Sequence, residues 1–187
     1  MKRREFLSGC VCGLGLAAGS LAAPEASRAA DKTPGRKIDP DDLANRAYEH
    51  FIPGKRTCCE SVLMAGCEAL GIKSNLIPDI ALGLGGGVGL QGDTCGVLTS
   101  AALVLSLAVA AKENEYAKKK MLSFQATGRL YREFRKRFGH TDCRSLCGLD
   151  LTTPEGRKKL KGGVKADKCA NFVRASAELL AKELAAI

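Results

Sequence analysis

One stretch constrains the fold more than any other: a glycine-rich loop that runs directly into a long apolar segment. The loop contains six glycines, Gly83, Gly85, Gly86, Gly87, Gly89 and Gly92. Glycine allows the backbone to adopt positive φ and to approach other groups closely. Residues 97–111, which follow, are all apolar, Ser or Thr, so this segment has no charged face. The segment is therefore predicted to be the buried central helix of a helical domain.

The remaining pattern predicts an all-α, single-domain helical bundle. Asp39-Pro40 is a helix start, and Thr57 and Glu60 have the spacing of a capping box. Further helices are expected over residues 116–138 and 167–187, with Gly162-Gly163 as a loop, and no segment is predicted to be a strand. The stripe expected to face the core of the long helix consists of Ala117, Met121, Phe124, Gly128, Tyr131, Phe134 and Phe138.

The first thirty residues have the features of an export signal. Arg3-Arg4-Glu5-Phe6-Leu7 is a twin-arginine pattern, and a weakly apolar run follows it. That run is shorter than the roughly 20 residues that span a bilayer. We predict a twin-arginine signal peptide over residues 1–30, a flexible leader over 31–38, and a cysteine-containing helical domain over 39–187. The mature protein is expected to be periplasmic or otherwise exported, without stable membrane insertion.

The charge of the chain limits its partners. Its 29 basic and 20 acidic residues give a formal charge of +9. Removing residues 1–30 takes away four basic and two acidic residues and leaves +7. Aromatic residues make up only 5% of the chain and Trp is absent, which argues against a nucleic-acid stacking surface. A basic surface suits an acidic partner, such as an electron carrier, or an anionic membrane.

Cysteine is the residue type of this chain that offers the most reactive chemistry. Removing the signal leaves seven: Cys58, Cys59, Cys67, Cys95, Cys143, Cys147 and Cys169. An odd number excludes complete disulfide pairing within one chain. Cys58, Cys95 and Cys169 fall in the first turn of predicted helices, where the helix dipole favours a thiolate. Cys143 falls in a short helix between glycines. The other three are expected to be small buried apolar residues: Cys59, Cys67 and Cys147.

If those helix starts meet at one end of a bundle, four thiolates converge there. Four thiolates suit an iron–sulfur cluster, but zinc or two disulfides fit the spacing equally well. The chain lacks C-x-x-C-H, so covalent haem is not predicted.

The order of the cysteine motifs resembles the C_GCAxxG_C_C family of redox-active proteins over roughly residues 43–183. The motifs are Cys58 with Glu60-Ser61-Val62-Leu63, the glycines ahead of Cys95-Gly96, Cys143-Arg144, and Cys169 with Phe172-Val173. A related domain occurs in split-Soret cytochrome c, where a helical bundle carries a 2Fe–2S cluster. The resemblance implies an iron–sulfur cluster, with 2Fe–2S as the type in the related domain, and it does not extend to haem. The implied ligands are Cys58, Cys95, Cys143 and Cys169.

Three classes of function remain open. The first is an exported electron-transfer protein with an iron–sulfur cluster, a non-catalytic carrier rather than an enzyme. The second is a thiol–disulfide redox protein, and the third is a structural or zinc-binding helical module. The expected partner is a redox protein with an acidic surface, and a homodimer stays an open alternative. Visible absorbance after anaerobic purification distinguishes the first class from the other two.

Overall fold

The computed structural model describes residues 38–187, and it confirms the all-α, single-domain prediction. The expected signal peptide and residues 31–37 of the leader lie outside the described residues. Within them there is no β-strand, only an isolated bridge between Thr94 and Asp142. The helices are α1 (Pro40–Phe51), α2 (Cys58–Ala69), a 3₁₀ helix (Asp79–Leu84), α3 (Gly96–Lys112), α4 (Tyr116–Phe138), α5 (Cys143–Cys147), α6 (Pro154–Lys159), a π-helical segment (Leu160–Cys169) and α7 (Ala170–Ala186).

Side-chain caps fix the starts of the first two helices where the sequence predicts them. The Asp39 carboxylate accepts the N–H of Asp41 at 2.8 Å, which satisfies a free donor at the start of α1. At α2, the Thr57 N–H donates to the Glu60 carboxylate at 2.9 Å and the Glu60 N–H donates back to the Thr57 hydroxyl at 3.3 Å. This reciprocal pair is a complete capping box.

The core is shared between α3 and α7. Helix α7 packs against α1, α2, α3 and α4, whereas α3 packs against α2, α4 and α7. At Gly66 of α2, a Cβ would lie 2.7 Å from the Val104 methyl groups, so glycine is what permits the close approach of α2 and α3. Leu105 is fully buried, but Leu107 is 40% exposed. Helix α3 is therefore covered by other helices on three sides and exposed to solvent on the fourth, although its sequence predicts burial on all sides.

The stripe predicted to face the core from α4 is mostly exposed, and this corrects the sequence interpretation. The buried residues are Ala126, Leu130 and Phe134, whereas Met121 and Phe124 are 53% and 65% exposed. Two ion pairs with α7 fix the rotation of the helix: Arg129–Glu183 at 2.8 Å and Arg137–Glu178 at 2.7 Å. Within residues 38–187, α4 packs mainly on α3 and α7, and one of its apolar flanks is left uncovered by this part of the chain.

The segment before the last helix also differs from the prediction. Gly162-Gly163 is not a loop, since the π-helical segment passes through it with a kink at Gly163 and continues into α7. Cys169 is therefore held on continuous helical backbone and has no free helix start beside it. At the other end, Ile38 is half-buried and packs on the core, so the expected leader meets the domain one residue early.

None of the helices within residues 38–187 combines the length and the apolar character needed to cross a membrane.

Candidate functional site

A cavity of about 380 Å³ lies at the end of the bundle where α1 ends and α2, α3 and α7 begin. Its wall includes the glycine loop, α5 and the π-helical segment. All four cysteines singled out from the sequence line it, together with a fifth. The five are Cys58, Cys95, Cys143, Cys147 and Cys169.

The glycine loop brings backbone to the thiols where side chains would collide. Gly87 has φ +72°, and a Cβ there would lie 2.8 Å from the Cβ of Cys143. A Cβ on Gly96 would lie 3.0 Å from the Sγ of Cys58. These are the two positions where glycine is required next to the cysteines.

Backbone hydrogen bonds then tie the loop, α3 and α5 together. The Cys143 N–H donates to the Asp93 carbonyl at 2.8 Å, which attaches the start of α5 to the end of the glycine loop. The Cys95 N–H donates to the Thr141 carbonyl at 2.8 Å, so the start of α3 is attached to the chain just before α5. Cys95 and Cys143 are therefore positioned by main chain rather than by packing alone.

The thiols are close enough to affect one another's ionisation. Cys58 interacts with Cys59 and Cys95, Cys95 with Cys143, and Cys143 with Cys147. All seven cysteines of residues 38–187 are free thiols. Cys58 and Cys169 are half-buried, and the rest are buried.

Interactions between neighbouring groups set the charge distribution over these thiols. The pKa of Cys58 is held well below its usual range by interaction with the Cys59 and Cys95 side chains, with further help from the backbone of Cys59 and Gly86. The pKa of Cys95 is raised by interaction with the Cys143 and Cys58 side chains and by burial. The pKa of Cys143 is lowered, chiefly by interaction with the Cys95 side chain. Negative charge is therefore stabilised on Cys58 and Cys143.

Cys169 differs from the other thiols of the cavity. Burial raises its pKa to about 12, and the neighbouring charge of Cys58 adds to the effect. The helix-dipole argument made from the sequence does not apply to it, because the π-helical segment satisfies the backbone there.

The cavity is lined by cations on one side and by apolar side chains on another. Lys165 donates from Nζ to the Arg56 carbonyl at 3.0 Å and lies 4.5 Å from the centre of the Phe51 ring. Burial lowers the pKa of Lys165, and the negative charges of Cys58 and Cys169 oppose that effect. The cationic residues of the lining are Lys55, Arg56, Lys161 and Lys165.

Two cysteines lie outside the cavity. The Cys59 thiol is buried, donates to the Ala81 carbonyl at 3.1 Å and contacts the Thr57 hydroxyl. Cys67 is buried in the helical core, where burial raises its pKa to about 11. Adjacent Cys58 and Cys59 could not be distinguished as site residues from spacing, and the structure directs only Cys58 into the cavity.

Cys147 was missed as a residue of the cavity. It was expected to be a small buried apolar residue, and it is buried, but it lines the same cavity as Cys143. The signal that could have found it was its spacing of four from Cys143, which puts both on one face of α5.

No group of three or more His, Cys, Asp or Glu side chains in residues 38–187 is arranged to hold a single metal ion. The five thiols share the wall of one cavity without three of them being placed to hold one ion.

Comparison with known proteins gives the family. The model of the family described as "Putative redox-active protein (C_GCAxxG_C_C)" matches residues 56–183. The chain belongs to this family of redox-active, cysteine-containing proteins, and the matched range covers every helix from α2 to most of α7. Searches of curated proteins and of solved structures each gave no match.

Proposed function

We propose that the protein is an exported electron carrier that holds an iron–sulfur cluster, of the 2Fe–2S type, on Cys58, Cys95, Cys143 and Cys169. The observation that carries the proposal is the gathering of five thiols in the wall of one cavity. An electron carrier needs thiolates with little room to rearrange, and the backbone hydrogen bonds at Cys95 and Cys143 provide that rigidity.

The chain also supplies donors that suit such a group. The backbone of Cys59 and Gly86 helps to lower the pKa of Cys58, and that of Val97 opposes the rise in the pKa of Cys95. Hydrogen bonds to cysteine sulfur stabilise the thiolate and adjust the reduction potential of a cluster. When bound, a cluster would supply one-electron chemistry. Lys165 adds positive charge beside Cys58 and Cys169, which offsets the negative charge of the thiolates.

The arrangement favours a cluster over zinc. A structural zinc ion takes four ligands around one point, and residues 38–187 offer no group of three or more such side chains around one point. A dinuclear cluster needs only two thiolates at each iron, with sulfide between the irons. Thiols that share a cavity wall without three of them being placed to hold one ion suit the second requirement better than the first.

The cavity lining also supports the proposed partner, a redox protein with an acidic surface. Lys55, Arg56, Lys161 and Lys165 all line the cavity. Among residues 38–187, the only ion pair made by these four is that of Arg56 with Glu60 at 3.3 Å. A partner with carboxylates around its own redox centre would be attracted to this end of the bundle.

Anaerobic purification followed by iron, sulfide and zinc analysis tests the proposal. We expect iron and sulfide in equal amounts with visible absorbance. Replacing Cys58, Cys95 or Cys143 by Ser should remove most of the iron, because a hydroxyl is a poor substitute for a soft thiolate. Cys67→Ser is the matched control, since Cys67 is buried away from the cavity, and it should retain its iron. Zinc without sulfide, or equal loss in the control, would contradict the proposal.

Cys147 decides which four of the five thiols take part. From the sequence we expect Cys147→Ser to retain its iron and Cys169→Ser to lose it. The reverse result would exchange these two residues in the ligand set and leave the cluster itself unchallenged.

Thiol–disulfide exchange is the second candidate, and the lowered pKa of Cys58 favours it. The Cys58 thiolate would attack one sulfur of a substrate disulfide and release the other as a thiolate. The Cys95 thiolate would then attack Cys58 in the mixed disulfide. This forms a Cys58–Cys95 disulfide and releases the second substrate thiol, so the protein is oxidised by two electrons and the substrate is reduced by two. A colourless protein whose exchange is abolished by Cys58→Ser would favour this function over the first.

The proposal of export rests on the twin-arginine pattern in the first thirty residues. Replacing Arg3 and Arg4 together by Lys should keep the precursor in the cytoplasm, as measured by cell fractionation. Unchanged export of this variant would remove the support for folding around a cofactor before translocation.

A further inference from the structure

The uncovered flank of α4 is a stripe of large apolar side chains in solvent. It comprises Ala117, Met121, Phe124, Gly128 and Tyr131, which recur every three or four residues and so share one face. We call this set the α4 stripe. At 1.5 Å per residue it extends for about 21 Å. Phe124 is more exposed than buried, and so is Met121, which is unusual for side chains of this size in a solvated domain.

Cations lie on both edges of the stripe, with Lys120 on one edge and Arg132 on the other. Helix α4 carries eight basic residues and one acidic residue, Glu133. Arg129 and Arg137 are paired with α7, and no ion pair within residues 38–187 involves the other six. Those six are Lys118, Lys119, Lys120, Arg132, Arg135 and Lys136. Much of the positive charge of the domain is therefore concentrated around one apolar surface.

The nearby acidic groups do not neutralise this surface. The Glu115 carboxylate caps α4 by accepting the N–H groups of Ala117 and Lys118, at 2.8 and 3.1 Å. The Glu113 carboxylate accepts the Glu115 N–H at 2.8 Å. Both lie at the very start of the helix, before the stripe begins.

The neighbouring helix α3 adds no acidic group beside α4. The two helices pack together, and from Gly96 to Ala111 the α3 sequence has no charged residue. The cations of α4 therefore meet no carboxylate from α3.

We propose that the α4 stripe is a docking surface for an anionic phospholipid bilayer. Helices that lie in the membrane interface have aromatic and aliphatic side chains on one face and Lys and Arg beside it. Phe124 and Met121 enter the headgroup region, and the bordering lysines contact lipid phosphates with their stems along the apolar boundary. This holds the domain at a membrane surface without a spanning helix, and it does not depend on the proposed redox function.

Charge distinguishes this occupant from a second copy of the chain. A symmetric contact through the stripe would bring Lys120, Arg132 and Arg135 of two copies together, and like charges at a close contact are repulsive. The stripe also lies on a single exposed helix flank and lines no cavity within residues 38–187, whereas a docking site for a helix of an acidic partner is a groove. A flat anionic surface satisfies the whole row of cations at once.

The absence of Trp from the chain allows a direct test on the full-length protein. Phe124→Trp places a single indole in the stripe, and Leu76→Trp places one at a similarly exposed position, 62% for Leu76, remote in sequence from α4. We titrate both with phosphatidylcholine vesicles that contain one-third phosphatidylglycerol, and with pure phosphatidylcholine vesicles. The Phe124→Trp emission should move to shorter wavelength only with the anionic vesicles, and that of Leu76→Trp should not move. Because the readout is local, binding by residues 1–37 does not mimic it.

A charge series completes the experiment. A triple substitution to Gln at Lys118, Lys119 and Lys120 should weaken vesicle binding of the Phe124→Trp protein. The expected loss is on the order of a hundredfold, at about fivefold per lysine. The matched control changes Lys158, Lys159 and Lys182 to Gln, which removes the same charge from exposed positions elsewhere.

Three results would overturn the proposal. The first is an emission shift that is equal with neutral vesicles, and the second is an equal loss of binding in both lysine triples. The third is a shift without vesicles that rises with protein concentration together with a dimer mass by light scattering, since a second copy would then cover the stripe. Iron content is measured on the same samples, so failure here is distinct from failure of the redox proposal.

Discussion

The cavity end of the bundle and the outer flank of α4 contrast in what determines their structure. At the cavity end, backbone conformation dominates: glycines at positive φ place Cys58, Cys95 and Cys143 against one another. On α4, side-chain pattern dominates, and it offers two apolar stripes of which only one can pack. The comparison teaches that local backbone requirements determine a site more firmly than periodicity determines which face of a helix is buried.

The two phenylalanines of α4 test this contrast most strongly. Phe134 is fully buried and packs on the Phe138 ring at 4.7 Å, whereas Phe124 lies in the exposed stripe. Phe134→Ala should lower the free energy of unfolding by about 3–5 kcal/mol, through lost burial and a residual cavity. Phe124→Ala should change it by less than about 0.5 kcal/mol. Equal losses in urea unfolding would mean that the stripe is covered in the folded protein.

The glycine loop offers a second pair. Gly87 and Gly89 both have positive φ, +72° and +60°, but only a Cβ on Gly87 would collide with the Asp93 backbone and, at 2.8 Å, with the Cβ of Cys143. Gly89→Ala should cost about 1–2 kcal/mol from backbone strain alone. Gly87→Ala should cost about 1–3 kcal/mol more, through overpacking against the Asp93 backbone and Cys143. If the two variants unfold at the same urea concentration, close packing at Gly87 does not hold the loop against Asp93 and Cys143.

Residues that set their own local structure were predictable from the sequence. The capping box at Thr57 and the start at Asp39 were located correctly because a side chain two or three residues away satisfies the free N–H groups. The four cysteines line one cavity because three of them sit where helices begin and helix starts meet at that end. Their role as ligands stays a prediction.

The misses involve choices that only tertiary contacts make. Which stripe of α4 is buried depends on Glu178 and Glu183 of α7, more than forty residues away. The π-helical path through Gly163 was not visible because two adjacent glycines indicate a loop as readily as a kinked helix. Cys147 was interpreted as a core residue because a residue buried in the core and a residue that lines an internal cavity occupy the same positions in a helical sequence pattern.

In the reduced, metal-free protein, the pH dependence of stability should show separate effects of the thiols with lowered pKa and of those with raised pKa. Cys58 and Cys143 have lowered pKa values, so they contribute stability above the pKa of an unfolded thiol, about 8.5, and that stability is lost as the pH falls through their folded pKa. Cys95, Cys169 and Cys67 have raised pKa values. Their contribution to stability is lost as the pH rises above the pKa of the unfolded thiol.

Stability should therefore be greatest near pH 8.5 and fall on both sides, because the thiols with lowered pKa act only below that pH and those with raised pKa act only above it. Cys58→Ala should flatten the acidic side. Cys67→Ala, which removes a thiol with a pKa of about 11, should flatten only the alkaline side. Urea unfolding at several pH values measures both slopes, and an acidic side unaffected by Cys58→Ala would mean that Cys58 is not ionised in the folded protein.

The smallest expected effect concerns the residue that joins the two regions. Tyr131 belongs to the exposed stripe, yet its hydroxyl is 2.7 Å from that of Thr141, whose carbonyl accepts the Cys95 N–H. Tyr131→Phe removes this link without changing the apolar surface. It should cost about 0.5–1 kcal/mol, the usual net value of one hydrogen bond. Tyr116→Phe is the control, since no side-chain hydrogen bond within residues 38–187 involves Tyr116, and it should be neutral. Hydrogen exchange at the Cys95 amide should be faster in Tyr131→Phe alone. An unchanged Cys95 amide, with stability equal to the control, would show that the stripe and the thiol cavity are independent, so that a membrane bound to one would leave the other unaffected.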